Sequence, residues 1–596
     1  MNIKKILPIL EWLPNYNSTL FKGDLVAGIT VGIVLIPQGI AYALIAGLPP
    51  IYGLYCALVP QLIYAVFGSS RQVAIGPVAM DSLIVATGVS TIALLGSEEY
   101  ISIAILLALM AGGIQFIMGV FNLGFIVNFL SKPVITGFTS AVALIISLNQ
   151  LKNLMGVAFL QSDQLHLILK DIWIQIGDFS LNTASIGIFS ILLIILLKKI
   201  DKRIPNALIV VVLGILIMKY FGNILTDVSI VKEIPSGLPS FGIPEFNIDQ
   251  IRELLPIALT LVMVGYLETI SIGKLLEAKQ DVYRIRPNQE LIALGLSNMF
   301  GSLFKAYPSA SSFSRSAINE ESGAKTGMAA LISVAMVAIT LLFLMPLFYY
   351  LPNTVLAAII IVAVLGLVNF TEAKFLWRAN QLDFWLMLAT FFATLFLGIE
   401  YGITAGVSLS LIILIFRTSR PHVAELGKVP NSNFYRNIER FEEVIIDEDI
   451  LVLRFDAQLF YANSSYFRDK LDELTIKKGI GLKLIILDAE SINRVDSTGV
   501  EMLKERIRYY QKKEVLFYFS GVKGPVRDTF FRSGFLEIID LQHFYMGIYQ
   551  AVQFYKTGDK AFQVKYAKYI HQANTQKSSP LSLKKDGIPR VSSTNK

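Results

Sequence analysis

Two stretches combine residue types and spacing that could hold an anion. One is QVAIGPVAMDSL, residues 72–83, and the other is KAYPSASSFSRSAI, residues 305–318. Each sets a proline, Pro77 or Pro308, before small residues in an otherwise apolar region. Pro308 suits the first helical position, where its missing N–H would have no partner anyway. Small residues then let backbone N–H groups approach a ligand. The expected arrangement is two half-helices whose N-termini face each other, each offering unpaired donors and roughly half a positive charge. The candidate contacts are Gly76, Pro77, Val78 and Ala79 on one side, and Ser311, Ser312, Phe313, Ser314 and Arg315 on the other. Arg315 is read as lying about two turns into its half-helix. An arginine at the bilayer centre costs roughly 2.5–3.5 kcal/mol, so it has either a function or a partner, with Glu320 and Glu321 nearby in sequence. Asp81 is either structural or pairs with Arg315. Glu268 sits in ALTLVMVGYLETISIG, where a neutral carboxyl is far cheaper than a carboxylate. It is the candidate for binding a proton together with the anion. Gln38, in IPQG, offers amide donors, and Tyr42 lies one turn later on the same face.

These residues need a membrane scaffold, and the composition supplies one. The 596 residues are 54% hydrophobic and only 16% charged, against about 25% charged in soluble chains. The class is therefore a polytopic α-helical membrane protein with the lipid bilayer as its solvent. Cys56 is the single cysteine and the four histidines are scattered. No disulfide framework, metal site or cofactor is expected. No nucleophile–base pair or P-loop is present, so an enzyme is not expected. The net charge of +7 is assigned to cytoplasmic loops and tail rather than to nucleic-acid binding. No cleavable signal peptide is expected at the N-terminus.

The apolar runs predict about fourteen spans. Those of the first half cover residues 24–47 (broken or kinked at IPQG), 50–68, 77–95, 101–121, 133–150, 184–197 and 204–221. Those of the second cover 254–273, 291–304, the 307–319 stretch, 328–351, 354–370, 384–397 and 403–416. A surface amphipathic helix is expected over 163–178. An odd number in each half gives the halves opposite orientations, the seven-plus-seven inverted-repeat plan. Lysine and arginine clusters put both termini on the cytoplasmic side. Residues 1–420 thus form a membrane domain. Residues 421–556 alternate short apolar strands with helices over 463–476, 497–512 and 526–533, as in a small cytoplasmic α/β domain. Residues 557–596 form a flexible tail, its last part (575–596) rich in serine, lysine and threonine.

The motifs IPQGIAYALIAGLPPIYGLY, GSSRQVAIGPVA, GYLETISIGK and YPSASSFSRSAINEESGAKTG together resemble the SulP (sulfate permease) family of anion transporters. DAESINRVDSTGVEML resembles a STAS domain. The resemblance implies the uracil permease-like inverted repeat. Spans 1–4 and 8–11 would form a core and spans 5–7 and 12–14 a gate, in a homodimer working as an elevator. It places the anion between the N-termini of spans 3 and 10, beside spans 1 and 8. It matches the family's serine–arginine pair to Ser314 and Arg315, and its proton-coupling position to Glu268. Ser497 falls where bacterial regulators with this domain are phosphorylated, which makes it a regulatory candidate. The function so implied is proton-coupled sulfate symport in the cell membrane. A sodium-coupled bicarbonate transporter, an uncoupled chloride or anion exchanger or channel, and a membrane-tethered STAS regulator remain alternatives.

Overall fold

A computed structural model describes residues 6–125, 131–157, 162, 164–175, 177, 179–200, 206–245, 247–280, 283–366 and 368–562. The serine- and lysine-rich stretch 575–596 lies outside the described residues. The chain divides into two compact units, Met1–Leu411 and Ile412–Lys596.

The first unit is helical. Among the described residues, nine helices are long and apolar enough to cross a membrane, and three shorter apolar ones accompany them. Its first long helix, α1 (Ser18–Ile45), is capped by Asn17, whose side chain accepts from the N–H groups of Thr19 and Leu20. The expected break at IPQG does not occur. Pro37 lies inside one 28-residue helix, as membrane helices allow when neighbours satisfy the freed backbone groups. The next span is two short helices, α2 (Pro50–Cys56) and α3 (Val59–Phe67). Strand β1 (Ile75–Gly76) and helix α4 (Ala79–Val89) follow. Then come α5 (Glu98–Val120), α6 (Lys132–Met155), a helix α7 (Leu165–Gln175) within the expected amphipathic stretch, α8 (Leu181–Ile200) and α9 (Asn206–Phe221).

After a long loop, α10 (Ile248–Gln280) and α11 (Pro287–Ser302) lead to strand β2 (Ala310–Ser311) and helix α12 (Phe313–Glu321). α13 (Met328–Ile339) loosens into a π turn, Thr340–Leu344, and a 3-10 turn, Met345–Phe348. Pro346 has no N–H for the regular ladder, which accounts for the change of winding. α14 (Asn353–Leu365) stops short of the expected 370, where Asn369 caps a separate helix, α15 (Phe370–Ala379). α16 (Gln381–Leu397) and α17 (Ile399–Ser419) close the helical part.

The tightest pairings cross the sequence midpoint. α5 packs on α11, α1 on α13, α3 on α11, and α6 on both α16 and α14. One group gathers α1, α3, α4, α5, α10, α11 and α13; another gathers α6, α8, α14 and α16.

The second unit is a six-stranded sheet in the order β4-β3-β5-β6-β7-β8. Its strands are β3 (Val423–Lys428), β4 (Tyr435–Asn437), β5 (Ile450–Phe455), β6 (Leu484–Asp488), β7 (Leu516–Ser520) and β8 (Phe544–Tyr545). β5 to β8 run parallel, while β3 is antiparallel to both β4 and β5. Strands ILVLRF and LIILD are near-continuous apolar runs because both sheet faces are buried. Helices α18 (Ser464–Lys478), α19 (Ser497–Gln511) and α20 (Gly524–Arg532) lie over one core, and α21 (Ile548–Thr557) over the other.

Candidate functional site

Strands β1 and β2 explain how two segments more than 230 residues apart meet. They pair antiparallel, Ile75 opposite Ser311 and Gly76 opposite Ala310. Ser312 N–H extends the pairing to the Ala74 carbonyl at 3.0 Å. The Ala74 N–H donates to Ser316 Oγ at 2.9 Å, and Asn319 Nδ2 donates to the Gln72 carbonyl at 2.9 Å. The N-termini of α4 and α12 thus leave the two ends of one small ladder.

This geometry changes the expected role of the prolines. Neither starts a helix. Pro308 precedes strand β2, and α12 begins at Phe313 with Ser312 as N-cap. Pro77 follows β1, and α4 begins at Ala79. Each proline introduces extended backbone, for which its fixed φ is equally suited. Arg315 is therefore the third residue of α12, in its first turn, rather than two turns in.

Arg315 is completely buried. It forms no ion pair with Asp81, Glu320 or Glu321, contrary to the expected alternatives. Nη1 donates to Gln38 Oε1 at 3.2 Å and Nη2 to the Pro77 carbonyl at 2.9 Å. One guanidinium fork thereby joins α1, the β1–α4 junction and α12. Gly76 lies beside it. Its φ is +153°, a conformation that favours glycine, and a Cβ there would lie 3.4 Å from Nη2. Nε of Arg315 has no hydrogen-bond partner.

The helix ends differ in capping. Ser312 Oγ accepts from Arg315 N–H at 3.5 Å. Val78, the N-cap of α4, has no side-chain acceptor, so the first-turn N–H groups of α4 stay uncapped. Ser311 is buried with its Oγ 2.9 Å from Thr269 Oγ1, whereas Phe313 and Ser314 are exposed. Gln38 and Tyr42 are both buried on α1. Glu268 lies on α10 beside a cavity of ≈ 20 Å³ that it shares with Met80, Phe138, Thr139 and Ile403. That volume holds about one water. Glu268 Oε2 is buried without a partner.

Several positioning residues were not singled out from sequence. Asn298 Oδ1 accepts from the N–H and hydroxyl of Ser309 at 2.8 and 2.9 Å, while its Nδ2 donates to Gln115 Oε1 at 3.1 Å. Tyr307 OH lies 3.0 Å from Ser82 Oγ, and Cys56 Sγ donates to the Tyr307 carbonyl at 3.2 Å. An asparagine and a glutamine inside apolar helices were the available signal, since such groups seek partners across helices. Glu290 was missed as well. Its buried carboxylate accepts from Tyr64 OH, Ser69 N–H and Ser69 Oγ at 2.5–2.7 Å.

In the sheet unit, Asp496 Oδ1 accepts from Gly499 N–H at 2.8 Å and caps α19. Ser497, the first residue of that helix, is exposed. Asp488, at the end of β6, is pushed up to about 6 by burial. Arg454 holds Asp456 at 2.6 Å, and with His422 at 2.9 Å keeps that carboxyl below its ordinary range despite burial. Among the described residues no group of histidine, cysteine and acidic side chains is arranged to hold a metal.

Comparison with known proteins gives consistent matches. The family model described as the sulfate permease family matches residues 21–390, and the STAS domain model matches 443–553. Sulfate transporter 4.1, chloroplastic, of Arabidopsis thaliana is 40% identical over 569 residues, covering 92% of this chain and 82% of that protein. The murine Solute Carrier 26 family member A9 anion transporter, solved in the inward-facing state, superposes with a TM-score of 0.86 at 28% identity, covering 93% of this chain and 94% of that one. The transmembrane domain of the cyanobacterium bicarbonate transporter BicA superposes at 0.57 with 21% identity, over 67% of this chain and 98% of that one, a likeness of fold alone.

Proposed function

Because this chain belongs to the sulfate permease family, we propose that it is a secondary transporter that carries sulfate with protons. The reading rests on one observation: two helix N-termini are tied by β1–β2 around a buried arginine, with an uncommitted carboxyl on the neighbouring helix. The uncapped N–H groups of α4, with Ser314 and the Arg315 charge, suit an oxyanion and disfavour a cation. Gln38 Oε1 is engaged by Arg315, which leaves its amide N–H groups for the anion. Glu268 takes up a proton as the anion enters, so the loaded site gains less negative charge in apolar surroundings.

Fourteen spans in two inverted sets of seven fit the helix order. The packing groups correspond to a core that carries the site and a gate that includes α6 and α14. The cavity beside Glu268 lies between α4 and α10 on one side and α6 and α17 on the other. At ≈ 20 Å³ it is too small for sulfate, and an elevator motion of core against gate would open it. Residues 1–420 form the transport domain of a homodimer in the cell membrane. Residues 421–556 form a cytoplasmic regulatory domain, with 557–596 as its tail and Ser497 as a site where phosphate adds charge. The name of the 40%-identical plant relative favours sulfate among the anions.

Uptake of labelled sulfate into proteoliposomes under an inward proton gradient tests this. Concentrative uptake is expected. Absence of it, with sodium-dependent bicarbonate uptake or an uncoupled anion current in its place, overturns the assignment.

A further inference from the structure

Three charged side chains at the site each leave one buried atom without a hydrogen-bond partner: Arg315 Nε, Glu268 Oε2 and Asp81 Oδ1. The function proposed above uses the first two and leaves Asp81 without a role. It is the third residue of α4 and 2% exposed. Its Oδ2 lies 3.7 Å from where a Cβ on Gly265 would be, so the carboxyl rests against α10 one turn before Glu268.

Every helix packed on α4 contributes to the surroundings of Asp81. α10 brings Glu268 within electrostatic range. The segment before β2 brings Tyr307, and α2 brings Cys56, both within the same range. α5 brings Gln115, whose Nε2 is 4.0 Å from the same Gly265 position. α6 brings Phe138 and Thr139 beside Met80 and no charge. α1, which packs on α4, carries Gln38 and Tyr42, and α12 carries Arg315, which directs Nη1 and Nη2 to Gln38 and the Pro77 carbonyl. Asp81 therefore has a second acid close by, and the one cation among these groups, Arg315, is bonded to Gln38 and the Pro77 carbonyl rather than to Asp81.

We propose that Asp81 is a second proton-binding carboxyl of the transport site, so that each sulfate moves with two protons, one on Asp81 and one on Glu268. The inference rests on the function proposed above. With both acids ionised beside Arg315, the empty site carries one net negative charge. Sulfate adds two negative charges and two protons cancel them, so the loaded site carries one negative charge as well. The protons come from the water on the entry side and leave with sulfate on the other. An ionised Asp81 in the first turn of α4 would set a full negative charge against the half-charge of the helix dipole that attracts the anion. Protonated, it leaves the uncapped N–H groups to sulfate and adds an O–H donor.

The test uses the full-length chain in proteoliposomes. Labelled sulfate accumulation is measured against an imposed pH gradient, with the membrane potential held at zero by potassium and valinomycin. Two protons give accumulation rising about 100-fold per pH unit in the native chain, and about 10-fold in Asp81→Asn, since each decade is one proton's worth of driving force. An inside-negative potential slows Asp81→Asn and not the native chain. A native slope of about 10-fold, or an Asp81→Asn slope equal to the native one, overturns the second proton and leaves proton-coupled sulfate uptake standing. No pH-driven uptake in the native chain overturns both. Should Asp81→Asn fail to fold, the native slope decides.

Discussion

Replacing Arg315 in two ways separates the scaffold from the charge. The guanidinium holds Gln38 Oε1 at 3.2 Å and the Pro77 carbonyl at 2.9 Å from a completely buried position. Arg315→Lys keeps the charge and loses the fork, because one ammonium does not reproduce the planar two-acceptor geometry. A buried carbonyl left without its donor costs about 1–3 kcal/mol. Arg315→Gln keeps a neutral donor and removes the charge. A charge-assisted contact is worth about 1.5–3 kcal/mol, so losing it from the anion raises the sulfate KM roughly 10- to 150-fold. The assays are thermal unfolding in detergent and initial rates of labelled sulfate uptake. Arg315→Lys should unfold at lower temperature with the smaller KM change, and Arg315→Gln should show the larger KM. A native KM in Arg315→Gln refutes the charge role, and native thermal stability in Arg315→Lys refutes the clamp.

Two further predictions concern backbone and pH. Gly76→Ala places a side chain at φ +153°, which costs about 1–3 kcal/mol, and sets its Cβ 3.4 Å from Arg315 Nη2. Lower thermal stability and a raised sulfate KM should appear together; a variant matching the native chain in both would show that the ladder tolerates the strain. In the STAS domain, Asp488 is raised to about 6 by burial, above its ordinary value of 3.8. Folding therefore binds a proton between those values, so the contribution is fully present below about pH 4 and is lost as pH rises through about 6, for an order of about 3 kcal/mol. Hydrogen exchange in β6 should show Asp488→Asn better protected than the native domain at pH 7.5, with most of that difference gone at pH 4. Equal protection at both pH values argues against the burial account.

The sequence made the helices legible because the bilayer demands long apolar runs, and most expected spans recur within a few residues, from 50–67 to 328–348. Strands β5, β6 and β7 were legible as apolar runs for a similar reason; β3 and β4 were not, because VAELGK and YRN carry charges, and neither was β8, which has only two residues. Matching Pro77 and Pro308 located the two segments that meet, but assigned them the wrong local structure. Proline favours a helix start and an extended strand alike, and the choice was made by pairing between residues 75 and 311, which no local pattern encodes. The partners of Arg315 stand 238 and 277 positions away, so sequence proximity pointed to Glu320 and Glu321 instead. Asp24 and Glu290 stand at or beside the ends of expected spans and drew no reading from the sequence, yet both are buried. The carboxylate of Asp24 accepts from Lys325 N–H, Thr326 N–H and Thr326 Oγ1 at 2.5–3.0 Å and ties α1 to the loop before α13.

The central claim is that sulfate moves with a proton carried on Glu268. It is tested most directly by labelled sulfate accumulation under an inward proton gradient in the native chain and in Glu268→Gln, side by side. The native chain should accumulate sulfate above its gradient-free level, and Glu268→Gln should accumulate about 10-fold less per unit of pH gradient. Equal accumulation by the two proteins, or a native chain indifferent to the gradient, would contradict the account.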